Sequence, residues 1–393
     1  MRIYKEDEKV FIKEHLQQDT SLLMLQAKRY PDLAVSELVQ QIKARQKAMS
    51  KLPGWAKNTD LLFPANISVE QSSSEATAAF KAALVSGKLL IDLTGGFGAD
   101  SYFFARSFEQ VVHVEQNQEL SEIANYNFNL LGADNIQTIA TTAAEFLEGF
   151  TGHADVIYLD PARRGDRSEK LHLLQDCEPD VLGLLPVLLQ KADNVLLKAS
   201  PMLDIELAVS QLGKIAKIWV VAVQNECKEV LYMLQQNPPA TIEREAINIK
   251  ADGSLSNFSF TMEQEQTIVP PYSDPLVYVY EPNAAILKAG AYKTITQQYS
   301  VNKLHPNSHL YTSATLIPDF PGRTFRCLDT SRYNKKELLA RLPNKQANIT
   351  IRNFPDTVAS IRKKTGIKEG GSMYLFFTTD MHQKPIVLYC EKI

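Results

Sequence analysis

A glycine-rich turn in the first half of the chain is the clearest place where these residues could do chemistry. The apolar run KLLIDL (88–93) leads into the turn DLTGGFG (92–98). Glycine is needed where a chain turns sharply, or where a ligand must lie against bare backbone. A helix that begins after such a turn presents its backbone N–H groups to a carboxylate or phosphate. We therefore predict that an anionic ligand group binds here, at Thr94, Gly95, Gly96 and Gly98.

Two carboxylates accompany this turn. Asp92 ends the first apolar run, where it can accept a hydrogen bond from a ligand ammonium group, directly or through water. Glu115 ends the next run about 23 residues later, close to the spacing at which an acid binds both hydroxyls of a ribose. Gln116 can then pack beside an adenine ring. Because the turn lacks the full G-x-G-x-x-G spacing, the set favours S-adenosylmethionine over a nicotinamide or flavin cofactor.

A second polar cluster, DPARR (160–164), follows the apolar run ADVIYL. Ligands of parallel sheets bind outside the carboxyl ends of the strands, so Asp160 should lie beside the cofactor and the reacting atoms. Pro161 stiffens the turn. Arg163 begins the loop RRGDR (163–167), which can bind a phosphate or carboxylate of the substrate. We predict catalytic roles for Asp160, Pro161 and Arg163.

These clusters need a scaffold that places strand ends side by side, and the order of elements predicts one. Short apolar runs alternate with helical segments, which is typical of a parallel sheet covered on both faces. The stretch EVLYMLQQ (229–236) follows the sixth run too closely for a helical crossover, so it should be antiparallel. Six parallel strands and one antiparallel strand form the Rossmann-like α/β sheet of class I methyltransferases. The six runs are 88–93, 110–115, 135–141, 154–160, 194–200 and 217–223.

Two other strand ends belong to the predicted site. Class I methyltransferases often place an aspartate after the third strand, where it meets the adenine amino group. Thr142 stands there in this chain, so we predict a hydrogen bond that is weaker than one to a carboxylate. Lys198 and the pair Ser200-Pro201, at the end of the fifth run, are predicted to shape the substrate pocket.

The rest of the chain is predicted to form smaller domains. Residues 1–65 read as a helical domain, and the methyltransferase domain covers 66–240. A linker and an α+β domain cover 241–330, within which the pattern predicts one helix over 284–299. A last α+β domain covers 331–393.

Charge and cysteine usage limit the partners. The formal net charge of the 393 residues is −3, but residues 331–393 hold 12 Lys+Arg against 5 Asp+Glu. That basic end predicts binding of RNA, although a solvated lysine-rich surface would have the same composition. The 4 cysteines are scattered without a CxxC pair, so we predict no metal site and a reducing, cytoplasmic location. No run of about 18 apolar residues is present, so we predict no membrane span.

The segment after the fourth run is similar to two known motifs. It resembles the Asp/Asn-Pro-Pro-Tyr motif of amino methyltransferases, but Ala162 and Arg163 replace the third and fourth positions. It also resembles the Asp-Pro-x-Arg motif of uracil-C5 RNA methyltransferases, whose chemistry needs a cysteine nucleophile. Cys177 is the nearby candidate, and we favour a structural role for it.

Several runs together resemble one group of proteins: EQSSSEATAAFKA, IDLTGGFGAD, YLDPARRGD, QDCEPD and LLKASPMLDI. They are similar to bacterial class I methyltransferases with a ferredoxin-like accessory domain and a THUMP-like C-terminal domain. The segments VYEPNAAILKAGAYKTI and NITIRNFPDTVASIRKKTGIKEGG extend the resemblance to the end of the chain. It implies S-adenosylmethionine as cofactor, with methyl transfer at Asp160. The contacts that it implies for the cofactor are Asp92, Gly96, Gly98 and Glu115.

The leading interpretation is an RNA methyltransferase that acts on rRNA or tRNA, because true THUMP domains bind tRNA. A second interpretation is a small-molecule or protein methyltransferase whose accessory domains serve oligomerisation. A third is an RNA-binding protein that keeps the fold but has lost catalysis, since no aromatic residue follows Pro161.

Overall fold

The computed structural model describes residues 2–64, 66–163, 174–342 and 344–393. It divides into two compact units. Unit 1 runs to Ile218 and resumes over Glu229–Ala240; unit 2 comprises Trp219–Lys228 and Thr241–Ile393. Within the described ranges, no helix is long and apolar enough to cross a bilayer.

The N-terminal helices of unit 1 pack through apolar residues spaced three and four apart. Phe11, Ile12, Leu23, Leu38 and Ile42 lie in one buried core. This spacing puts them on one face of each helix, which is why the helical pattern was readable in the sequence. The helices are α1 (Glu6–His15), α2 (Thr20–Leu25), α3 (Val35–Ala48), α4 (Pro53–Lys57), α5 (Asn66–Gln71) and α6 (Glu75–Leu84).

Strands and helices then alternate as predicted. Strand interiors are buried, as for Leu90 and Ile91 of the first strand and Val195 of the fifth predicted strand. The elements are β1 (Gly87–Asp92), α7 (Ala99–Phe104), β2 (Phe108–Glu115), α8 (Gln118–Leu130), β3 (Ile136–Ala140), α9 (Ala143–Gly149), β4 (Ala154–Leu159), β5 (Ala162–Arg163), β6 (Cys177–Glu178), α10 (Val181–Lys191), β7 (Ala192–Ala199), α11 (Ile205–Leu212), β8 (Ile215–Val223) and β9 (Glu226–Leu234).

The strand order confirms the class I methyltransferase sheet. Seven strands follow one another as β8-β9-β7-β4-β1-β2-β3. β1 pairs in parallel with β2 and β4, and β4 pairs in parallel with β7. β9 pairs antiparallel with β7, as its short connection to β8 predicted. Parallel strands end on the same side of a sheet, so the ends of β1, β2 and β4 are brought together.

Two further strands extend the sheet within unit 2. β10 (Glu243–Ile249) and β11 (Leu255–Thr261) form an antiparallel hairpin. They continue the sheet beyond β8, to nine strands. The sequence pattern predicted a linker and an α+β domain over 241–330, and it did not assign these two strands to the methyltransferase sheet.

Unit 2 contains a second sheet, of seven strands, in addition to several helices. Its remaining elements are α12 (Met262–Thr267), β12 (Tyr278–Pro282), α13 (Ala284–Ala289), α14 (Thr294–Gln298), β13 (Asn302–Lys303), β14 (Tyr311–Ser313), β15 (Gly322–Arg332), α15 (Lys335–Ala340), β16 (Asn348–Arg352), α16 (Val358–Thr365), β17 (Met373–Thr379) and β18 (Pro385–Lys392). The strand order of this sheet is β13-β14-β12-β15-β18-β17-β16. Its core contains Val279, Phe325, Phe376 and Leu388, all fully buried.

The single helix predicted over 284–299 is wrong. α13 ends at Gly290, which adopts a left-handed conformation with φ of 88°. Glycine reaches that conformation without steric cost, so it ends helices readily. The chain then starts the separate helix α14 at Thr294.

Candidate active site

The glycine turn joins the end of β1 to the start of α7, as predicted. Asp92 is fully buried, and its carboxylate accepts hydrogen bonds from Ser101 Oγ at 2.6 Å and from the Thr94 N–H at 3.1 Å. Ser101 Oγ also lies 2.9 Å from His113 Nδ1. Asp92 therefore holds the turn from the protein interior, and its side chain presents no surface to a ligand.

The three glycines of the turn serve two different purposes. A Cβ on Gly95 would collide with the His113 ring, and one on Gly98 would collide with Phe128. Gly96 has φ of 56°, and a Cβ there would meet nothing closer than the Thr94 carbonyl oxygen at 3.8 Å. The space beside Gly96 is thus open to a ligand, whereas the other two glycines accommodate the protein's own side chains.

Glu115, at the end of β2, is tied to the turn. Its Oε2 accepts the Gly96 N–H at 2.8 Å, and its Oε1 accepts the Asn117 N–H at 2.8 Å. These bonds fix the carboxylate beside the open face of Gly96. Each oxygen has a second lone pair for a ligand hydroxyl.

Gln116 and Thr142, the two residues predicted to contact the adenine, differ in whether their side chains already have hydrogen-bond partners in the protein. Gln116 is exposed at the start of the β2–α8 connection. Thr142 is the N-cap of α9: its hydroxyl accepts the Glu145 N–H and donates to Glu145 Oε2 at 2.9 Å. The Thr142 side chain is therefore already committed to the helix start.

Asp160 follows the end of β4 and is held from two sides. Its N–H donates to Thr94 Oγ1 at 2.6 Å, which connects the β4 end to the glycine turn. Its Oδ2 lies 2.5 Å from Lys198 Nζ. The carboxylate stays 32% exposed, so it can still meet a ligand. Thr94 thus acts through its side chain, a role that the sequence analysis did not anticipate.

The segment after Asp160 forms a short ladder. Pro161 is half-buried, and β5 pairs antiparallel with β6, so that Arg163 faces Cys177 along the backbone. The fold therefore places the backbone of Cys177 next to the DPARR motif (160–164), although the two are separated in the sequence. The rest of the RRGDR loop, residues 164–167, lies outside the described residues.

A buried cluster of charged side chains adjoins Asp160, and the sequence analysis missed it. Lys81 on α6 lies 3.1 Å from both carboxylate oxygens of Glu229 on β9 and 3.2 Å from Asp100 Oδ1 on α7. Lys198 lies 4.0 Å from the same Glu229. Ser73 Oγ bonds to Asp100 at 2.8 Å, to Lys81 at 3.1 Å and to Lys198 at 3.2 Å.

A local signal for this cluster exists in the sequence. Lys81 shares a helix face with Thr77, Ala78 and Ala82, which are all buried. Glu229 stands at the start of an otherwise apolar buried run. A charge in a buried stripe is uncommon unless it has a partner. Such positions should therefore be read as half of an ion pair, although the sequence does not name the other half.

Burial and neighbouring charges shift the pKa values of the cluster and of the glycine turn, in both directions. Burial by itself raises the pKa of Asp100, but Lys81 and Lys198 hold it below the usual value. Burial raises the pKa of Glu229 in spite of the same two lysines. Burial also raises the pKa of Asp92, to about 7, and lowers the pKa of His113 to about 3. His113 is therefore neutral, and Asp92 titrates near neutral pH.

The Asp92 shift predicts a specific pH dependence of stability. Its folded pKa of about 7 lies above the unfolded value of 3.8, so proton binding favours the folded state. This contribution is complete below pH 4 and is lost as pH rises to 7, by an amount on the order of 4 kcal/mol. We expect Asp92→Asn to remove this loss, because its Oδ1 still accepts the Thr94 N–H and its Nδ2 donates to Ser101 Oγ in place of the bond that the carboxylate accepts.

The measurement is the free energy of unfolding in urea, from pH 4 to pH 8, for wild type and Asp92→Asn. The difference between the two curves isolates Asp92, because His113 titrates in both proteins. Parallel curves across this range would contradict the prediction.

Comparisons with known proteins agree with this architecture. A family model described as a ferredoxin-like domain matches residues 278–321, and one described as THUMP domain-like matches residues 322–392. A crystal structure of a Porphyromonas gingivalis W83 protein, provisionally named a methyltransferase, is 33% identical. It covers 100% of both chains with a TM-score of 0.88.

Two curated relatives match a shorter stretch. A Thermotoga maritima protein named an uncharacterized RNA methyltransferase is 29% identical over 98 residues, which is 25% of this chain. A Mycoplasma mobile protein with the same description is 29% identical over 90 residues, or 23% of this chain. The matched stretches span only 22% and 25% of those proteins' own lengths.

Proposed function

This chain belongs to the same methyltransferase family as the Porphyromonas gingivalis protein and itself matches ferredoxin-like and THUMP-like domains, and from that premise we propose that it transfers a methyl group from S-adenosylmethionine to rRNA or tRNA. The cofactor would supply a methyl group activated by its sulfonium centre. The protein's task is then to bind and align the two reactants. We place this activity in the cytoplasm.

One observation carries the cofactor assignment: the Glu115 carboxylate is fixed 2.8 Å from the Gly96 N–H, beside the open face of that glycine. This arrangement suits a ribose on the carboxylate and the cofactor's chain along the bare backbone. Gln116 and the N-capped Thr142 would border the adenine. The turn Thr94–Gly98 would border the methionine part, and Asp92 would act by keeping that turn in place.

Asp160 is the proposed methyl-transfer residue. It is the partly exposed carboxylate at the end of β4, and Thr94 and Lys198 both hold it. A carboxylate so held can accept a hydrogen bond from the acceptor group and orient it toward the methyl donor. Pro161 and Arg163 would shape the rim of the same site.

RNA is the proposed acceptor for two reasons. The curated relatives are named RNA methyltransferases, and the basic residues of this chain are concentrated over 331–393. We propose that residues 1–65 form a helical domain, 66–240 the catalytic domain, and 241–330 and 331–393 the ferredoxin-like and THUMP-like domains. The last boundary falls within β15, which pairs with β12 and with β18.

The first test is calorimetric titration of the purified protein with S-adenosylmethionine. We expect Glu115→Ala to weaken binding by about 100-fold, because two charge-assisted hydrogen bonds to the ribose are lost. Glu109→Ala is the matched control, since Glu109 is exposed near the other end of the same strand. Its affinity should equal that of wild type.

Absence of binding to folded wild type would overturn the cofactor assignment. Equal affinities of wild type and Glu115→Ala would overturn the assigned site. Tight cofactor binding without methyl transfer to rRNA or tRNA transcripts would instead favour an RNA-binding protein that has lost catalysis.

A further inference from the structure

A concavity in unit 2 lies far along the chain from the catalytic strand ends. It has a volume of about 590 Å³ and is lined by Asn307, His309, Thr379 and the stretch 351–355. Its walls come from both matched domains, 278–321 and 322–392. A volume of this size can hold a ligand as large as a nucleotide.

His309 in this wall has two unusual properties. Its φ is 51°, a left-handed conformation that non-glycine residues rarely adopt. Its Nδ1 is buried and has no hydrogen-bond partner within the described residues. Backbone strain and an unsatisfied polar atom both cost stability, and such features concentrate where ligands bind.

The His309 ring is stacked on a neighbouring aromatic ring and is uncharged at neutral pH. It stacks on Tyr292 with the ring centroids 3.9 Å apart. Burial, together with the charges of Lys303 and Arg352, lowers the pKa of His309 to about 4. A neutral imidazole has one donor and one acceptor nitrogen. It can therefore pair with the edge of a polar heterocycle.

Arg352 brings positive charge to the same wall. Its Nη2 lies 2.5 Å from Glu281 Oε1, and Arg323 Nε donates to Glu281 Oε2 at 2.7 Å. Two guanidinium groups thus share one buried carboxylate, so one positive charge is left over. An anionic ligand at the cavity would meet this excess charge.

Phe354 adds an aromatic ring to the cavity lining. Phe354 packs against Tyr333 and Phe377, with centroids 5.5 and 5.4 Å away. Asn353, with φ of 51°, is held by bonds from its Nδ2 to His305 and from Thr379 to its carbonyl. Flat apolar surface, amide groups, a neutral imidazole and a guanidinium are the groups that recognise an unstacked nucleotide.

We propose that this cavity, lined by His309, Arg352 and Phe354, binds one unstacked nucleotide of a single-stranded RNA segment. The base would lie against the aromatic and imidazole surfaces, and the phosphate would meet Arg352. The choice of RNA rests on the proposed function, whereas the nucleotide-binding chemistry follows from the cavity itself.

The experiment compares two pairs of variants. His309→Gly removes the ring and relieves the strained φ, and Ser300→Gly is its control because Ser300 has φ of 50° and does not line the cavity. Arg352→Gln and Arg323→Gln each remove one cation from Glu281, but only Arg352 lines the cavity. Each control therefore changes the same kind of backbone conformation or the same ion pair as its partner, at a residue that does not line the cavity.

The readouts are fluorescence anisotropy with a labelled single-stranded RNA of mixed sequence, and saturation-transfer NMR with the four nucleoside monophosphates. We expect His309→Gly and Arg352→Gln to weaken RNA binding about tenfold each, with the controls close to wild type. The nucleotide signals of wild type should disappear in His309→Gly.

The outcomes separate this proposal from the proposed function. RNA binding that is equal in all variants would overturn the nucleotide site and leave an RNA substrate standing. Equal losses in Arg352→Gln and Arg323→Gln would overturn it too, because the effect would then come from Glu281. If wild type binds S-adenosylmethionine but neither RNA nor nucleotides, the nucleotide site fails while the cofactor assignment holds.

Discussion

Replacing Lys198 with methionine is expected to lower the rate of methyl transfer about 10³-fold, while the affinity for S-adenosylmethionine changes by less than about threefold. Lys198 Nζ contacts Asp160 Oδ2 at 2.5 Å and Ser73 Oγ at 3.2 Å. Burial alone lowers the pKa of Lys198, but Asp160, Glu229 and Asp100 raise it above its usual value. Lys198 therefore remains a cation and holds Asp160 in one orientation.

Loss of this cation should affect the reaction more than cofactor binding. Asp160 would face Glu229 and Asp100 with only Lys81 left to balance three carboxylates, so its orientation and charge state would both change. Glu115 and Gly96, which are proposed to hold the ribose, bond to each other, and Glu115 also accepts the Asn117 N–H.

The assay measures transfer of a labelled methyl group to unmodified rRNA and tRNA transcripts, with kcat and KM determined separately. Lys88→Met is the control, because Lys88 is exposed at the start of β1, and it should retain full activity. An unchanged kcat in Lys198→Met would refute the positioning role. Parallel losses of cofactor affinity and melting temperature would indicate that Lys198 serves folding only.

Replacing Lys81 with methionine is expected to lower the free energy of unfolding by about 3–5 kcal/mol. Lys81 is fully buried. Its Nζ lies 3.1 Å from Glu229 and 3.2 Å from Asp100. Removing the lysine leaves two buried carboxylates with Lys198 as their remaining cation. The cost of an uncompensated buried charge exceeds the net value of the ion pair.

A second variant makes this prediction sharper. Lys81→Met combined with Glu229→Met removes both charges of the pair, so the double variant should be more stable than Lys81→Met alone. The measurement is denaturant unfolding at pH 7, with Lys88→Met as a control that should stay within about 0.5 kcal/mol of wild type. A double variant less stable than the single one would contradict the ion-pair explanation.

The catalytic scaffold was predictable because its signals are local. Nearly continuous apolar runs such as 88–93 and 110–115 are typical of strands that are buried on both faces, which predicted a parallel sheet. The run that forms β9 follows β8 too closely for a helical connection between parallel strands, which predicted that β9 is antiparallel. The position of Glu115 at the end of β2 was predicted from its distance in sequence from Asp92. Helix 284–299 was mispredicted because its apolar period continues past Gly290, where the backbone turns left-handed.

Tertiary structure alone decided which groups meet at the site. Gly95 reads as a ligand-contacting glycine, yet its missing side chain makes room for His113. Lys81 and Glu229 are separated by 148 residues, and neither has a local pattern that names the other as its partner. Sequence periodicity determines which face of an element is buried, because that depends on neighbours three, four or two residues away. Long-range ion pairs depend instead on how whole elements pack, and only the folded chain specifies that.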